Sequence, residues 1–268
     1  MSFSDSPKGT YGRQISAAYN KTLKELLREK AALFWTIAWP IIWVIIGCFS
    51  FTGGAPQGTV PYIKGSIVIS MMVFALMIAG MSNLPASIAG DRANGLLAKL
   101  ISMPIKPYKD FIGRISAVIT LSLLAAALVI IIGIALGARF TGAGVEILQA
   151  IGFIFLVICA SAGVGLIAGT LIKHLQGAIM TGVGIAVVTS ALSGLFAPYE
   201  FLPAPLQTFA RVYPISSAQA SIAYLLAGPD MVAYNPLTSS QVTLAIALSI
   251  ALLLAGIVLY SRLGWKLE

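Results

Sequence analysis

Apolar residues fall in six long runs, Ala32 to Phe51, Ile63 to Asn83, Phe111 to Leu136, Ile147 to Ile172, Gly177 to Ala197 and Val242 to Tyr260, parted by shorter polar stretches. Bilayer hydrocarbon is about 30 Å thick and a helix rises about 1.5 Å per residue, so roughly twenty apolar residues cross it. The pattern predicts an all-α integral membrane protein with six transmembrane helices. Ahead of the first run the period changes. Between Gln14 and Lys30, Ile15, Ala18, Tyr19, Thr22, Leu23, Leu26 and Leu27 recur at helical spacing, while Asn20, Lys21, Lys24 and Arg28 fall opposite. This is an amphipathic helix with a basic face, expected along the cytoplasmic membrane surface with its apolar side among the headgroups. The chain divides accordingly into a cytoplasmic N-terminus, 1–31, and a six-helix transmembrane domain, 32–268.

Two connecting stretches carry more order than a simple return to the membrane needs. In the loop 84–110, the segment Ala89 to Pro104 reads as a short helix parallel to the membrane. Asp91 stands at its dipole-favoured start, Leu96, Leu97, Leu100 and Ile101 form one apolar stripe, and Pro104 and Pro107 end it. In the region 198–240, six of the thirteen prolines interrupt helix repeatedly, which predicts short helices and turns. Phe196, Tyr199, Phe201, Phe209, Tyr213 and Tyr224 are mixed among those breaks, as interfacial anchors or substrate contacts. Irregular backbone at membrane depth persists only where protein or a water-filled cavity satisfies it, so this stretch is a candidate gate over an exit path.

Composition narrows the class. With 58% hydrophobic residues, 10% charged and a mean hydropathy of +0.93, no water-soluble core of this size could hide the apolar surface. Lysine and arginine flanking the spans are retained on the cytoplasmic side. With both termini inside, the inner face collects fourteen basic residues, from Lys8 to Lys266, and leaves Lys64, Arg139 and Arg211 outside. The net charge of +8 thus reflects topology and attraction to anionic lipid, and nucleic-acid partners are set aside. Cys48 and Cys159 lie within spans and His174 is the single histidine, so a histidine metal cluster is excluded and no metal site is expected. The polar N-terminus is unlike a cleavable signal peptide, and the first span is expected to stay as an anchor. The expected location is the plasma (inner) membrane, multi-pass. Gly163, Gly165 and Ala168 fit a dinucleotide fingerprint, but inside a spanning run the required strand, turn and acid are missing.

The run Asp91-Arg92-x-Asn-Gly95-Leu96-Leu97-x-x-Leu100-Ile101-x-x-Pro104 resembles the Glu-Arg-x-x-Gly-x-Leu-x-x-Leu-x-x-x-Pro element of ABC-2 type transporter permeases, with aspartate in place of the usual glutamate. A second likeness lies in Ser193, Gly194, Pro198 and Pro203, followed by Tyr213 and Pro214; here Ala220, Ser221 and Ile222 stand where many members carry an arginine. The resemblance implies one permease of a pair, a homodimer, with a cytoplasmic coupling helix between spans 2 and 3 and short outer re-entrant helices between spans 5 and 6. It implies that Asp91, Arg92, Gly95, Leu96, Leu97, Leu100, Ile101 and Pro104 meet a separate ATPase subunit. No G-x-x-x-x-G-K-[ST] loop occurs in this chain, so ATP and Mg belong to that partner, and the chain itself is not an enzyme. Gly165, Gly169, Gly177, Thr181, Gly184 and Ala191 thin spans 4 and 5, and the expectation is that these two spans pack on each other within the chain.

The function so implied is export of an amphiphilic or lipid-like substrate or drug by alternating access. The alternative is export of a polysaccharide or lipid-linked glycan, for which Trp35, Trp39 and Trp43, spaced by four along the first span, offer an aromatic line. A more distant class, an ion-coupled secondary transporter, needs ionisable groups inside the bilayer. The nearest here are Lys64 and Arg114, both expected to snorkel to an interface. A lipid-modifying enzyme would need clustered acids, histidines or a nucleophile with its base, which the sequence lacks.

Overall fold

The computed structural model describes residues 7–96 and 107–264. Six helices are long and apolar enough to cross a membrane: span 1, Lys30–Ser50; span 2, Val60–Ala93; span 3, Tyr108–Ala135; span 4, Gly144–Leu171; span 5, Leu175–Leu192; and span 6, Ser239–Leu263. An N-terminal helix, Pro7–Arg28, precedes them. Two short helices, Ala204–Val212 and Pro214–Leu226, stand between spans 5 and 6. No strand occurs among the described residues. The end of the bundle holding the N-terminal helix is called proximal below, and the opposite end distal.

Span 2 is the axis. In its most apolar stretch 94% of residues are buried inside the chain, against 17% for span 6 and 33% for spans 1 and 5. Phe74, Met71, Met77, Ile78 and Met81 of this span form the centre of the core. Spans 1, 3, 4 and 5 and the helix Pro214–Leu226 all pack on it, and span 6 packs mainly on span 4.

Prolines shape this axis. Pro40 and Pro85 bring no N–H for a carbonyl one turn behind, and the turn ahead of each widens to π-helical geometry, over Phe34–Ala38 and Ala79–Asn83. In span 1 the Trp39 N–H reaches back to the Phe34 carbonyl. In span 2 the widened turn is met by glycines of two neighbours. A Cβ on Gly165 would lie 2.0 Å from the Gly80 carbonyl oxygen, and one on Gly182 would lie 2.0 Å from that of Met81. Side-chain hydrogen bonds complete the bracing: Ser82 Oγ donates to the Ile179 carbonyl at 3.3 Å, and Asn83 Nδ2 to Thr36 Oγ1 at 3.0 Å.

The small residues of span 4 therefore do pack within the chain, but against span 2 rather than span 5. Gly169 approaches Pro85, while Gly163 faces Leu252 of span 6. The dinucleotide-like run is thus a two-sided helix contact. In span 5 the close approach belongs to Gly182; Gly184 has nothing within 4 Å of an added Cβ.

The N-terminal helix also departs from expectation. Its apolar face covers span 3 rather than lying in headgroups alone, because Gly113 admits the helix backbone: an added Cβ there would be 2.5 Å from Ala18 Cβ and 2.8 Å from the Ile15 carbonyl oxygen. Thr22 and Leu26 are buried in the contact, and Tyr19 Oη donates to Thr120 Oγ1 at 3.2 Å.

Candidate functional site

At the proximal end span 2 continues as helix to Ala93, through the start of the stretch Ala89 to Pro104 that the sequence suggested as a separate surface helix. The chain then turns at Asn94 and Gly95, whose φ of +64° suits glycine. Leu96 is half-buried. Leu97, Leu100, Ile101 and Pro104 lie outside the described residues. Of the loop 84–110, residues 84–93 belong to span 2 and 108–110 to span 3.

Asp91 consequently sits near a helix C-terminus, the dipole-disfavoured end for a carboxylate, and the structure supplies cations to hold it. Its two oxygens accept from Arg114 and from Lys21. Arg114 is buried, contrary to the expectation that it snorkels. Its Nε donates to Asp110 Oδ2 at 2.6 Å, and its Nη1 to Ser87 Oγ at 2.7 Å and to the Ser87 carbonyl at 3.1 Å. Tyr260 Oη donates to Asp110 Oδ2 at 3.3 Å. One ionic knot thus joins the N-terminal helix, the end of span 2, the start of span 3 and the end of span 6. Two cations, the buried Arg114 and the part-exposed Lys21, face two buried carboxylates, Asp91 and Asp110. Glu25 lies on its margin, 3.4 Å from Lys21. Burial pushes its carboxyl above the ordinary value of 4.5, and the nearby lysine only partly offsets this. Arg92 points elsewhere, with Nη1 donating to the Thr170 carbonyl at 3.4 Å, where span 4 ends with unsatisfied carbonyls.

Lys21, Asp110, Arg114 and Tyr260 were not singled out as a group by sequence. The one available signal was the i, i+4 spacing of Asp110 and Arg114 at the edge of an apolar run.

The distal end is irregular, as the prolines require. Span 5 ends at Leu192, and Gly194, at φ +84°, turns the chain. Pro198 leads into a single helical turn, Tyr199–Phe201, and Pro203 precedes Ala204–Val212. After Tyr213, extended backbone, Pro214 opens the helix Pro214–Leu226, which is sunk among spans 2, 4 and 6. Ser216 Oγ donates to the Ser193 carbonyl at 2.8 Å, tying this helix to the end of span 5. Tyr213 Oη meets Thr189 Oγ1 of span 5 at 3.3 Å. Ser193, Gly194, Pro198, Pro203, Tyr213 and Pro214 thus fall in one continuous structure.

Between that structure and the distal ends of spans 1 and 2 lies a cavity of about 690 Å³. Trp43, Phe196 and Tyr199 are on its wall, and Ser70 and Gln219 meet there, Gln219 Nε2 donating to Ser70 Oγ at 2.9 Å. The tryptophans of span 1 run to this wall in a file, with ring centroids 5.3 Å apart for Trp35 and Trp39, 6.2 Å for Trp39 and Trp43, and 5.2 Å for Trp43 and Phe196. At the rim, Arg211 Nε donates to Tyr199 Oη at 2.7 Å, and its guanidinium lies 4.8 Å from the Tyr234 ring centroid. Burial, with Tyr199 adding to it and Arg211 opposing, pushes the Tyr234 phenol up to about 12, so a neutral ring faces the cation.

Among the described residues no cluster of histidine, cysteine or acid could hold a metal, and both cysteines are free thiols inside spans. What the arrangement can do is join a charged, multi-helix hub at one end to a lined cavity at the other through one buried helix, which is the construction of a membrane permease. The sequence pattern of the family described as ABC-2 type transporter matches residues 13–227, and the chain belongs to that family. It is the transmembrane, multi-pass component of an ABC-type permease, of a kind that works with an ATP-binding subunit and has no ATPase site of its own. A comparison with curated proteins found no match.

Proposed function

We propose that the chain is one half of a homodimeric exporter that moves an amphiphilic or lipid-like substrate out of the cytoplasm, driven by a separate ATPase that binds ATP and Mg. The observation that carries this reading is the ionic knot at Asp91, Arg114, Asp110 and Lys21, placed where span 2 leaves the bundle toward residues 97–106. In this reading the ATPase meets the stretch from Gly95 to Pro104, with Leu96, Leu97, Leu100 and Ile101 as its apolar contact. A push there enters span 2 directly and spans 3 and 6 through the knot, because a buried, mutually satisfied charge cluster moves as a unit. The distal end is then the outer one, consistent with the basic residues gathered proximally, and both termini are cytoplasmic in the plasma (inner) membrane.

The glycan alternative draws on one observation, the unbroken file Trp35, Trp39, Trp43 and Phe196, since sugar rings slide on aromatic faces. Co-purification of the tagged chain from its native membrane, followed by ATPase assay, tests the main reading. An ATP-hydrolysing subunit should come with the wild type and be lost on Leu97→Asp/Leu100→Asp while the permease remains folded. A permease that returns alone under mild extraction, without ATPase activity, overturns it.

A further inference from the structure

We infer that the distal cavity seats an uncharged, hydroxyl-bearing group carried on an apolar body, and that Gln219 is the residue that selects it. The inference rests on the permease reading above and narrows its amphiphilic cargo.

At about 690 Å³ the cavity has the capacity of a site for a small organic molecule. Gln219 stands on the helix Pro214–Leu226 and meets span 2 through its amide, Nε2 donating to Ser70 Oγ at 2.9 Å. Ser70 is 7% exposed, and its own proton is already given to the Ser66 carbonyl one turn back, at 3.1 Å. Ser70 Oγ is therefore left to accept, which fixes the amide one way round, nitrogen toward span 2 and oxygen away from it. That oxygen, Oε1, accepts from no group of the chain. It is not sealed in the interior as Asn83 Oδ1 is, and it keeps its access to the cavity that Gln219 lines. The side chain is thus ordered before any ligand arrives, with its acceptor uncommitted.

The groups around that acceptor are spent or neutral. Ser216 Oγ is committed to the Ser193 carbonyl. Ser66 Oγ, without a partner, can donate or accept and so sets no preference. The charged side chains on the lining, Glu200 and Asp230, are exposed, and Arg211 is held by Tyr199 and Tyr234. An ionic group brought to Gln219 would shed water with no opposite charge to meet it, whereas a hydroxyl exchanges one hydrogen bond for another. Trp43 and Phe196, whose ring centroids are 5.2 Å apart, form the wall for the apolar body. The Trp43 indole N–H is likewise uncommitted and unsealed, and it serves the lone pair of any oxygen, ether or hydroxyl alike. Gln219 answers only a donor, so the discrimination falls to it.

The compounds para-phenylphenol and its methyl ether make the test, sharing one aromatic body and one oxygen and differing in the hydrogen-bond donor. Equilibrium binding is measured on the purified full chain in nanodiscs, with empty nanodiscs subtracted because both compounds partition into lipid. The expected result is saturable binding, tighter for the phenol by about fivefold, the worth of one hydrogen bond between uncharged groups. Gln219→Met keeps the reach of the side chain without its amide and should bring the two compounds near parity. Gln219→Glu restores an acceptor at the same place and should restore the preference, which separates loss of the acceptor from loss of the fold. Trp43→Phe should weaken both compounds alike and leave their ratio unchanged. Absence of saturable binding, parity in the wild type, tighter binding of the ether, or a preference that survives Gln219→Met overturns the inference. The two proposals fail separately: an ATPase that co-purifies with a chain showing no preference for the phenol removes this site alone, and that preference without any ATPase removes the exporter reading alone.

Discussion

Replacing Arg114 with methionine tests the ionic knot most directly. The substitution keeps an unbranched apolar stem of similar reach and removes the one cation that touches both Asp91 and Asp110. Lys21 stays on Asp91, but its side chain is 31% exposed and it belongs to the N-terminal helix, so it cannot follow the carboxylate inward. Asp110 loses its guanidinium, though not the Tyr260 hydroxyl, while remaining buried. Removing one member of a buried ion pair typically costs about 3–5 kcal/mol, because the partner's desolvation is no longer offset. The upper part of that range applies here, since Asp110 is left without its cation, Asp91 keeps one of two, and Ser87 loses a donor as well. In a chain of this length the apparent melting temperature in detergent should fall by roughly 10 °C. Adding Asp110→Asn to Arg114→Met leaves one carboxylate facing one cation and should return about 2 kcal/mol, a coupling read from the double-mutant cycle. If Arg114→Met melts with the wild type, or if Asp110→Asn deepens the loss, the charges do not balance as a unit and the reasoning fails.

Three further outcomes follow from the same structure. Gly182→Ala places a methyl 2.0 Å from the Met81 carbonyl oxygen, so spans 2 and 5 must part; a loss of about 1–3 kcal/mol or more is expected, seen as early melting, whereas Gly184→Ala, with nothing within 4 Å, should melt with the wild type. Glu25→Gln should raise the melting temperature slightly at pH 7.5: the folded carboxyl lies above 4.5, the unfolded one ionises first, and the folding penalty grows as pH rises from 4.5 through the folded value, so the variant's advantage should vanish below about pH 4.5. Arg211→Ala removes the guanidinium from Tyr199 and Tyr234 and should cost about 1 kcal/mol while speeding proteolysis of the segment 199–234, an effect absent if that clamp does not hold the rim.

The spans were legible because the bilayer sets a length and a composition that the chain must meet, and all six were read from runs of apolar residues. The distal breaks were legible for a similar reason, since Pro198, Pro203 and Pro214 each forbid one backbone hydrogen bond whatever the surroundings. The far end of span 2 was misread because a helix whose polar end is covered by its neighbours need not stop with its apolar run, and this one continues to Ala93. Asp91 looks like a solvent-facing residue until Arg114 and Lys21, at other points of the chain, are brought to it. A long-range ion pair has no period and leaves no trace in spacing. The glycines failed differently: small residues at regular intervals mark a close approach but not which neighbour makes it, and Gly165 chose span 2 through the widened turn at Ala79–Asn83, itself a consequence of Pro85.

That turn bears on how the two ends communicate. Residues 84–93 of span 2 carry Ser87 and Asp91 into the knot, and residues 60–78 carry Ile63, Ser66 and Ser70 to the cavity wall. The two halves meet at a π-helical turn followed by proline, where helices bend at least cost because a backbone hydrogen bond is already missing. Yet the turn is not free to hinge in isolation. Gly165 and Gly182 press on its carbonyls from opposite neighbours, and Asn83 binds Thr36 in span 1, itself inside the other widened turn, with its Oδ1 buried and unpartnered. A shift of the lower half must therefore slide along spans 4 and 5 and carry span 1 with it. Span 1 also bears Trp43 and the tryptophan file, so the span 1 and span 2 sides of the cavity are geared to the same turn.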